Sequence, residues 1–338
     1  MNKNEKKTGK AWVIEWLDYL DVYYRKDKNI KPWEWDFKKC YVAESKHDEY
    51  DKEKAITNFL KYKNKEFKNH ENRFNLTGKM GGQADCDKEA RYIYQALGWL
   101  DNQGDDVRGD AMNSYRTTFT AAITKNISDN KTYKGVCEEI GIVFEKDGRN
   151  TYLWDQLETL YKDENYLKFA CVGENEKGFS LFAKLTHTIG NFMVLSGEMN
   201  CARNAKYNDY WDLTLAATGF LDEFFDRFGE AARNKHAWKA FIERYMLQPF
   251  VKDDEDYSVA ELWQGHLENK GKPKNSEEIK QFLNHVSLSI QERGKHMMKN
   301  LCESLGETEY KFYKEELEGI GKTPKFANKL WMEELTRL

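Results

Sequence analysis

The sequence predicts a mainly α fold, a multi-helix globular bundle with at most one or two short β-hairpins. Three observations carry this. Apolar side chains recur at spacings of three, four and seven along most of the chain. Only 4 Pro interrupt 338 residues, so few positions forbid helix. Residues 209–228 are apolar almost all round, from Tyr210 and Trp211 to Phe225 and Phe228, which suits a helix at the centre of a bundle.

The elements follow in order. Residues 51–69 place Ile56, Phe59, Leu60 and Phe67 on one face of a helix. Residues 88–100 do the same through Ala90, Ile93, Tyr94, Leu97 and Leu100, and residues 110–124 through Met112, Tyr115, Phe119 and Ile123. Leu153, Trp154, Leu157 and Leu160 mark another helix. In the C-terminal third, Ser258 with Glu261 reads as a capping box, Ser276 opens a long helix, and Thr323-Pro324 reads as an N-cap with proline at the first helical position. Strand signals are few. Ile142–Phe144 and Thr151–Leu153 flank Asp147-Gly148 as a short hairpin, and Phe192–Leu195 reads as a strand or an extended buried connection. The chain divides into a main helical domain over 1–250 and a C-terminal helical subdomain over 251–338 packed on it; Val251–Asp256 and Asn269–Lys274 look like joints.

Composition narrows the function classes. Lys+Arg 53 against Asp+Glu 57 gives no global pull toward nucleic acid. Cys40, Cys86, Cys137, Cys171, Cys201 and Cys302 form no C-x-x-C pair, which argues against a zinc ribbon and a disulfide scaffold. The N-terminal MNKNEKKTGK leads into no signal-peptide pattern, and no stretch approaches the ~18 apolar residues of a membrane span. A cytoplasmic, reducing setting without membrane contact is expected. Phosphate-loop, dinucleotide-fold, nucleophile-elbow and zincin motifs are absent.

Two segments do not read like plain helix. In Asp105–Phe119, Asp110 is placed to cap the helix that follows, and Asn113, Arg116 and Thr117 would share one side of it. Such a cluster binds an anion or ties down a neighbouring loop. In Leu185–Leu195 and on through Asn200, Arg203, Asp209, Trp211 and Asp212, polar groups that are costly to bury sit beside strongly apolar ones. His187 is a candidate acid–base group or metal ligand. The alternative is that Asn191 and Asp209 bond backbone groups while Arg203 and Asp212 pair inside a helical core. The basic helices around Arg233, Lys235, His236 and Lys239, and around Arg293, Lys295, His296 and Lys299, read as charged solvent faces, with phosphate contacts as the other reading.

The run H-T-I-G-N-F, then Asn200, Arg203 and Lys206, then D-Y-W-D-L-T-L, resembles an uncharacterised family of bacterial proteins. In that family it follows an R-G-D-x-M-N-S-[FY]-x-T-T-[FY] element, present here at Arg108–Phe119. A more distant, partial likeness is to the HNH-type C-terminal domain of modification-dependent restriction nucleases. There a His-Thr-Leu-Gly-Asn-Leu-Thr-Leu stretch precedes an Asn-containing helix; His187–Leu195 and Asn200 fit that shape. Those nucleases also carry an upstream His-Ile-x-Pro strand whose histidine activates water. This chain departs there, with no His between His70 and His187.

The resemblance implies a protein that acts on or binds nucleic acid, in the setting of phage defence. Hydrolysis would need a divalent ion held by carboxylates such as Asp110, Asp209 and Asp212, with His187 as general base. The catalytic candidates are therefore His187, Asp110 and Asp212. The binding candidates are Arg108, Asn113, Arg116, Asn191, Asn200, Arg203, Asp209 and Trp211. Two further functions stay open. One is a helical scaffold for a protein partner, with Trp33 and Trp35 at the interface. The other is a nucleotide or small-anion binder using Arg108, Arg116 and Arg203.

Overall fold

The computed structural model describes residues 9–35, 87–100, 107–113, 118, 122, 170–196, 210–218 and 235–335. It is mainly α. Helix α1 (Gly9–Lys26) buries Val13, Trp16, Leu17, Leu20 and Tyr24 and leads to a 3-10 turn at Pro32–Glu34. Helix α2 (Asp87–Ala96) stops short of Leu100, where Gly98 turns the chain with φ of 70°. Strand β1 (Val107–Ala111), α3 (Ala170–Gly173) and α4 (Glu176–Leu185) follow. A 3-10 turn at Ile189–Asn191 runs into β2 (Phe192–Ser196). Then come α5 (Trp211–Thr218), α6 (Lys235–Arg244), a 3-10 turn at Gln248–Phe250, and the short α7 (His266–Asn269). Helix α8 (Ser276–Leu305), a π-turn at Tyr313–Leu317 and α9 (Ala327–Leu335) complete the described chain. No helix among the described residues is long and apolar enough to cross a membrane.

Strand β2 is the extended segment expected at Phe192–Leu195. Its partner is not a hairpin neighbour but β1, in antiparallel register with Val107 opposite Ser196 and Ala111 opposite Phe192. Asp110 therefore lies in a strand, not at a helix cap, and the helix expected from residue 110 starts later; Thr118 and Ala122 are helical. The helices expected at 51–69 and 153–161 and the hairpin around Asp147-Gly148 lie outside the described residues.

Helix α8 is the central element. It opens at Ser276 as expected, and Asn275 caps it: the Asn275 side chain accepts from Glu278 N at 2.8 Å, and Gly306 closes the far end in the left-handed region. Its inward stripe runs through Ile279, Phe282, Leu283, Val286, Ile290, Met297 and Leu301. Arg293, His296 and Lys299 lie inside as well, at 0%, 5% and 7% exposure, which corrects the reading of this segment as a solvent face. Helix α8 touches the Pro32–Glu34 turn, α4, the Ile189–Asn191 turn, the Gln248–Phe250 turn and α9. Trp33 and Trp35, at 3% and 8% exposure, are core residues and not a free interface. Neither Ser258 nor Thr323-Pro324 opens a helix where expected. The Glu261 carboxylate instead accepts from Gly265 N and Leu267 N at the start of α7, and α9 begins at Ala327.

The turn at Ile189–Asn191 meets α8 glycine against glycine. A Cβ on Gly190 would run into the Ile290 carbonyl oxygen and lie 2.8 Å from Gly294 N, both rigid helix backbone. Gly190→Ala is accordingly expected to cost about 3 kcal/mol or more in denaturant unfolding. Gly178→Ala, whose new Cβ meets only the movable Leu283 side chain at 3.0 Å, is expected to cost clearly less.

Helix α9 docks through Trp331, stacked on His285 with ring centroids 3.8 Å apart. His285 Nδ1 donates to the Leu262 carbonyl at 3.0 Å. Burial lowers the His285 pKa below its ordinary 6.5, outweighing that hydrogen bond. A folded-state value below the unfolded one means the unfolded chain binds the extra proton first. This stabilising contribution is thus complete above pH 6.5 and falls as the pH drops from 6.5 toward the lower folded value. A series of melting temperatures against pH is expected to decline in that window, and His285→Phe is expected to flatten the decline.

Candidate functional site

The two polar stretches singled out in the sequence meet along the β1–β2 pair. Arg108 and Asp110 stand in β1 opposite Leu195 and Met193. Beyond the last ladder pair the backbone continues: Met112 N donates to the Asn191 carbonyl at 2.6 Å. The Asn191 side chain then extends the ladder by one residue. Its Oδ1 accepts from Asn113 N and its Nδ2 donates to Asn113 O, both at 3.1 Å. The same Nδ2 reaches the Thr186 carbonyl at 2.8 Å. A carboxamide offers one acceptor and two donors, and Asn191 spends them as a peptide group would.

The threonines flanking His187 serve the end of α4. Thr186 Oγ1 donates to the Phe182 carbonyl and Thr188 Oγ1 to the Leu185 carbonyl, each at 2.8 Å. Those carbonyls belong to the last turn, where intrahelical partners run out. His187 is buried at 2% exposure. The H-T-I-G-N-F run thus terminates a helix, turns against α8 and enters β2.

Arg293 holds this corner. Its guanidinium is fully buried; Nε donates to the Tyr245 carbonyl at 3.1 Å, and Nη1 donates to Gly190 O at 2.9 Å and Phe192 O at 2.6 Å. The Met112 and Met193 sulfurs lie 3.3 and 3.7 Å from Nη1 and Nη2, and the Trp99 ring lies 5.5 Å from Cζ. Burial lowers the Arg293 pKa to about 10, still well above neutrality, so the side chain remains a cation. Tyr245 follows the last residue of α6, so Arg293 also meets the negative end of that helix dipole. Lys299 does the same elsewhere, donating to the carbonyls of Leu317, Glu318 and Ile320, each at 3.0 Å, beyond the π-turn.

Asp212 is tied to a residue the sequence reading did not single out. His266 Nδ1 lies 2.6 Å from Asp212 Oδ2, with both side chains enclosed. The same Oδ2 accepts from Leu262 N at 3.1 Å, and Oδ1 accepts from Leu213 N at 2.8 Å. His266 Nε2 faces the Gly271 carbonyl at 3.0 Å. A carbonyl only accepts, so in that bond Nε2 is the donor. Trp263 stacks on the imidazole with centroids 3.5 Å apart, and Tyr210 meets it edge-on at 5.1 Å. The pair staples α5 to the segment around α7. The only sequence trace of it was a histidine three residues beyond Trp263 on an otherwise ordinary stretch.

Trp211 is buried at 1% exposure in the same core cluster as Met112, Phe192 and Met193, and Asn113 is fully enclosed. The side chains of Arg108 and Asp110, and all of Arg116, Asn200, Arg203 and Asp209, lie outside what the structure describes. Among the described residues no group of three or more His, Cys, Asp or Glu side chains is placed to hold a metal ion. No protein-family model, curated protein or solved structure matches the chain.

The Asp212–His266 contact is expected to show strong coupling. Either single change, Asp212→Ala or His266→Ala, leaves a buried polar partner behind and is expected to cost about 3–5 kcal/mol. The double change should cost much less than the sum. Urea unfolding of the four proteins measures this directly.

Proposed function

We propose that the chain binds nucleic acid through the region organised by the β1–β2 pair. One observation carries this reading: the R-G-D-A part of the first stretch and the F-M-V-L end of the second are paired strands. In the nucleases that the second stretch resembles, a strand bearing a histidine lies upstream of the corresponding run. Here the strand paired with β2 reads Val-Arg-Gly-Asp-Ala, with no imidazole to activate water. Asp212, the other candidate for hydrolysis, is engaged with His266 and accepts two further hydrogen bonds, from Leu262 N and Leu213 N. The reading favoured is therefore recognition on a nuclease-like frame with a divergent centre. Arg108, Arg116 and Arg203, all within the motif stretches, are the cations suited to phosphate. A bacterial cytoplasmic protein of phage defence is the setting that fits.

The test is retention of labelled single- and double-stranded DNA and RNA by the purified chain at low salt. Retention that weakens steeply as salt rises is expected, and the combined change Arg108→Ala, Arg116→Ala and Arg203→Ala is expected to reduce it at least tenfold. Melting temperatures measured with Mg²⁺, Mn²⁺ and Zn²⁺ separate binding from a metal-dependent hydrolytic function. No retention of any of the four nucleic acids at low salt overturns the proposal.

A further inference from the structure

The geometry points to the loop between α7 and α8 as a phosphate-binding surface, on which Lys270, Lys272 and Lys274 together meet the backbone of a nucleic acid. This rests on the nucleic-acid reading above and goes beyond it, because the loop lies outside the β1–β2 pair and apart from the arginines assigned there. All three lysines are exposed, whereas Gly271 is half-buried and Pro273 buried, so cations alternate with anchoring residues. Among the described residues none of the three ammonium groups meets a carboxylate or another hydrogen-bond partner. Lys28, Lys314 and Lys325 do, reaching Glu315, Glu309 and Glu333 at 2.8, 3.2 and 2.6 Å. Lys252, Lys322 and Lys329 are exposed and unpaired among the described residues, but each stands apart from the others in the chain.

The loop is held without help from its lysine side chains. His266 Nε2 donates to the Gly271 carbonyl at 3.0 Å, Lys270 N to the His266 carbonyl at 2.8 Å, and Lys274 N to Glu278 Oε2 at 2.6 Å. His266 is itself clasped by Asp212, so the D-Y-W-D-L-T-L stretch fixes where these cations stand. Of the acidic residues that flank the loop in sequence, Glu261 and Glu278 spend their oxygens on backbone N–H groups, and Glu268 and Glu277 face solvent.

Lys270 supplies a second observation. Its φ of 50° and ψ of 24° are left-handed, at the position after a helix where Gly or Asn is favoured. A lysine there strains the backbone, and its side chain returns no ion pair or hydrogen bond among the described residues. An exposed cation kept where glycine would fit better is accounted for by a ligand and not by the fold.

The chemistry selects the ligand class. Lysine offers phosphate a point charge and reads no base. From residue 270 to residue 274 the chain can extend at most about 14 Å, the length of about four phosphates along one strand. A pinned loop presents its cations with little further ordering, which keeps the entropic cost of binding low.

The experiment measures retention of labelled single- and double-stranded DNA and RNA over a range of salt concentrations. The wild-type chain is compared with the triple change Lys270→Ala, Lys272→Ala and Lys274→Ala, and with a control triple, Lys252→Ala, Lys322→Ala and Lys329→Ala, that removes the same charge elsewhere. For duplexes the slope of log affinity against log salt is expected to become shallower by about 2–3 in the loop triple and to stay at the wild-type value in the control. Lys270→Gly alone is expected to bind more weakly, yet to melt about 1–2 °C above wild type as the left-handed strain is relieved. If the wild type retains nucleic acid and the loop triple keeps its slope, this inference falls and the nucleic-acid reading stands. It falls equally if the control triple lowers the slope as much, since net charge alone would then explain the loss, or if Lys270→Gly melts below wild type. If the wild type retains no nucleic acid, whether or not it is retained by phosphatidylserine vesicles, both readings fall.

Discussion

A guanidinium removed entirely from water is the constraint around which the described fold is arranged. Taking such a cation out of solvent costs several kcal/mol unless donors are met in good geometry. Arg293 meets that cost with the carbonyls of Tyr245, Gly190 and Phe192, two thioether sulfurs and the face of Trp99. No carboxylate takes part among the described residues. Because those carbonyls belong to different segments, α6, the Ile189–Asn191 turn and the head of β2 must all converge on one point of α8. A core held by apolar contacts alone could slide; a fork of fixed donors cannot.

The close approach of backbones makes the fork reachable. Gly190 and Gly294 let the turn sit directly on α8, next to the residue that supplies the guanidinium. With any larger side chain at 190 the turn would ride up, and its carbonyl would leave the reach of Nη1. Gly190 and Arg293 are therefore two parts of one device. The polar motif that includes Gly190 is shaped at least as much by this packing as by chemistry at a surface. That accounts for why its threonines cap a helix, and why Asn191 completes a strand ladder.

Much of this was written in the sequence, but not all of it in the alphabet of hydrophobicity. The stripe Ile279, Phe282, Val286, Ile290 and Met297 gave α8 its inward face, and Arg293 lies on the same stripe at the same spacing. Its charge argued for solvent, whereas its position argued for burial, and position prevailed because carbonyls from the end of α6, the Ile189–Asn191 turn and the head of β2 were there to receive it. Lys299 followed the same logic. Helix α1 carries Val13, Trp16, Leu17, Leu20 and Tyr24 at helical spacing, a legible signal that composition alone does not reveal. Strand β1 was illegible for another reason. Arg-Gly-Asp has no strand propensity, and only its pairing with β2 makes it extended. The Asp212–His266 pair joins residues 54 apart, and no local pattern announces such a contact.

That long-range character decides when the motif region can exist. Asn113 and Asn191 are separated by 78 residues, so their pairing bears the entropy of closing a long loop. Two short strands alone are marginal in water. What holds them is supplied from still further along the chain, since Arg293 is 103 residues beyond Gly190. The strands of the motif region and the helix that fixes them thus come from opposite parts of the sequence. The geometry of the region is complete only once α8 has packed, so it belongs to the whole fold and not to a motif that folds by itself.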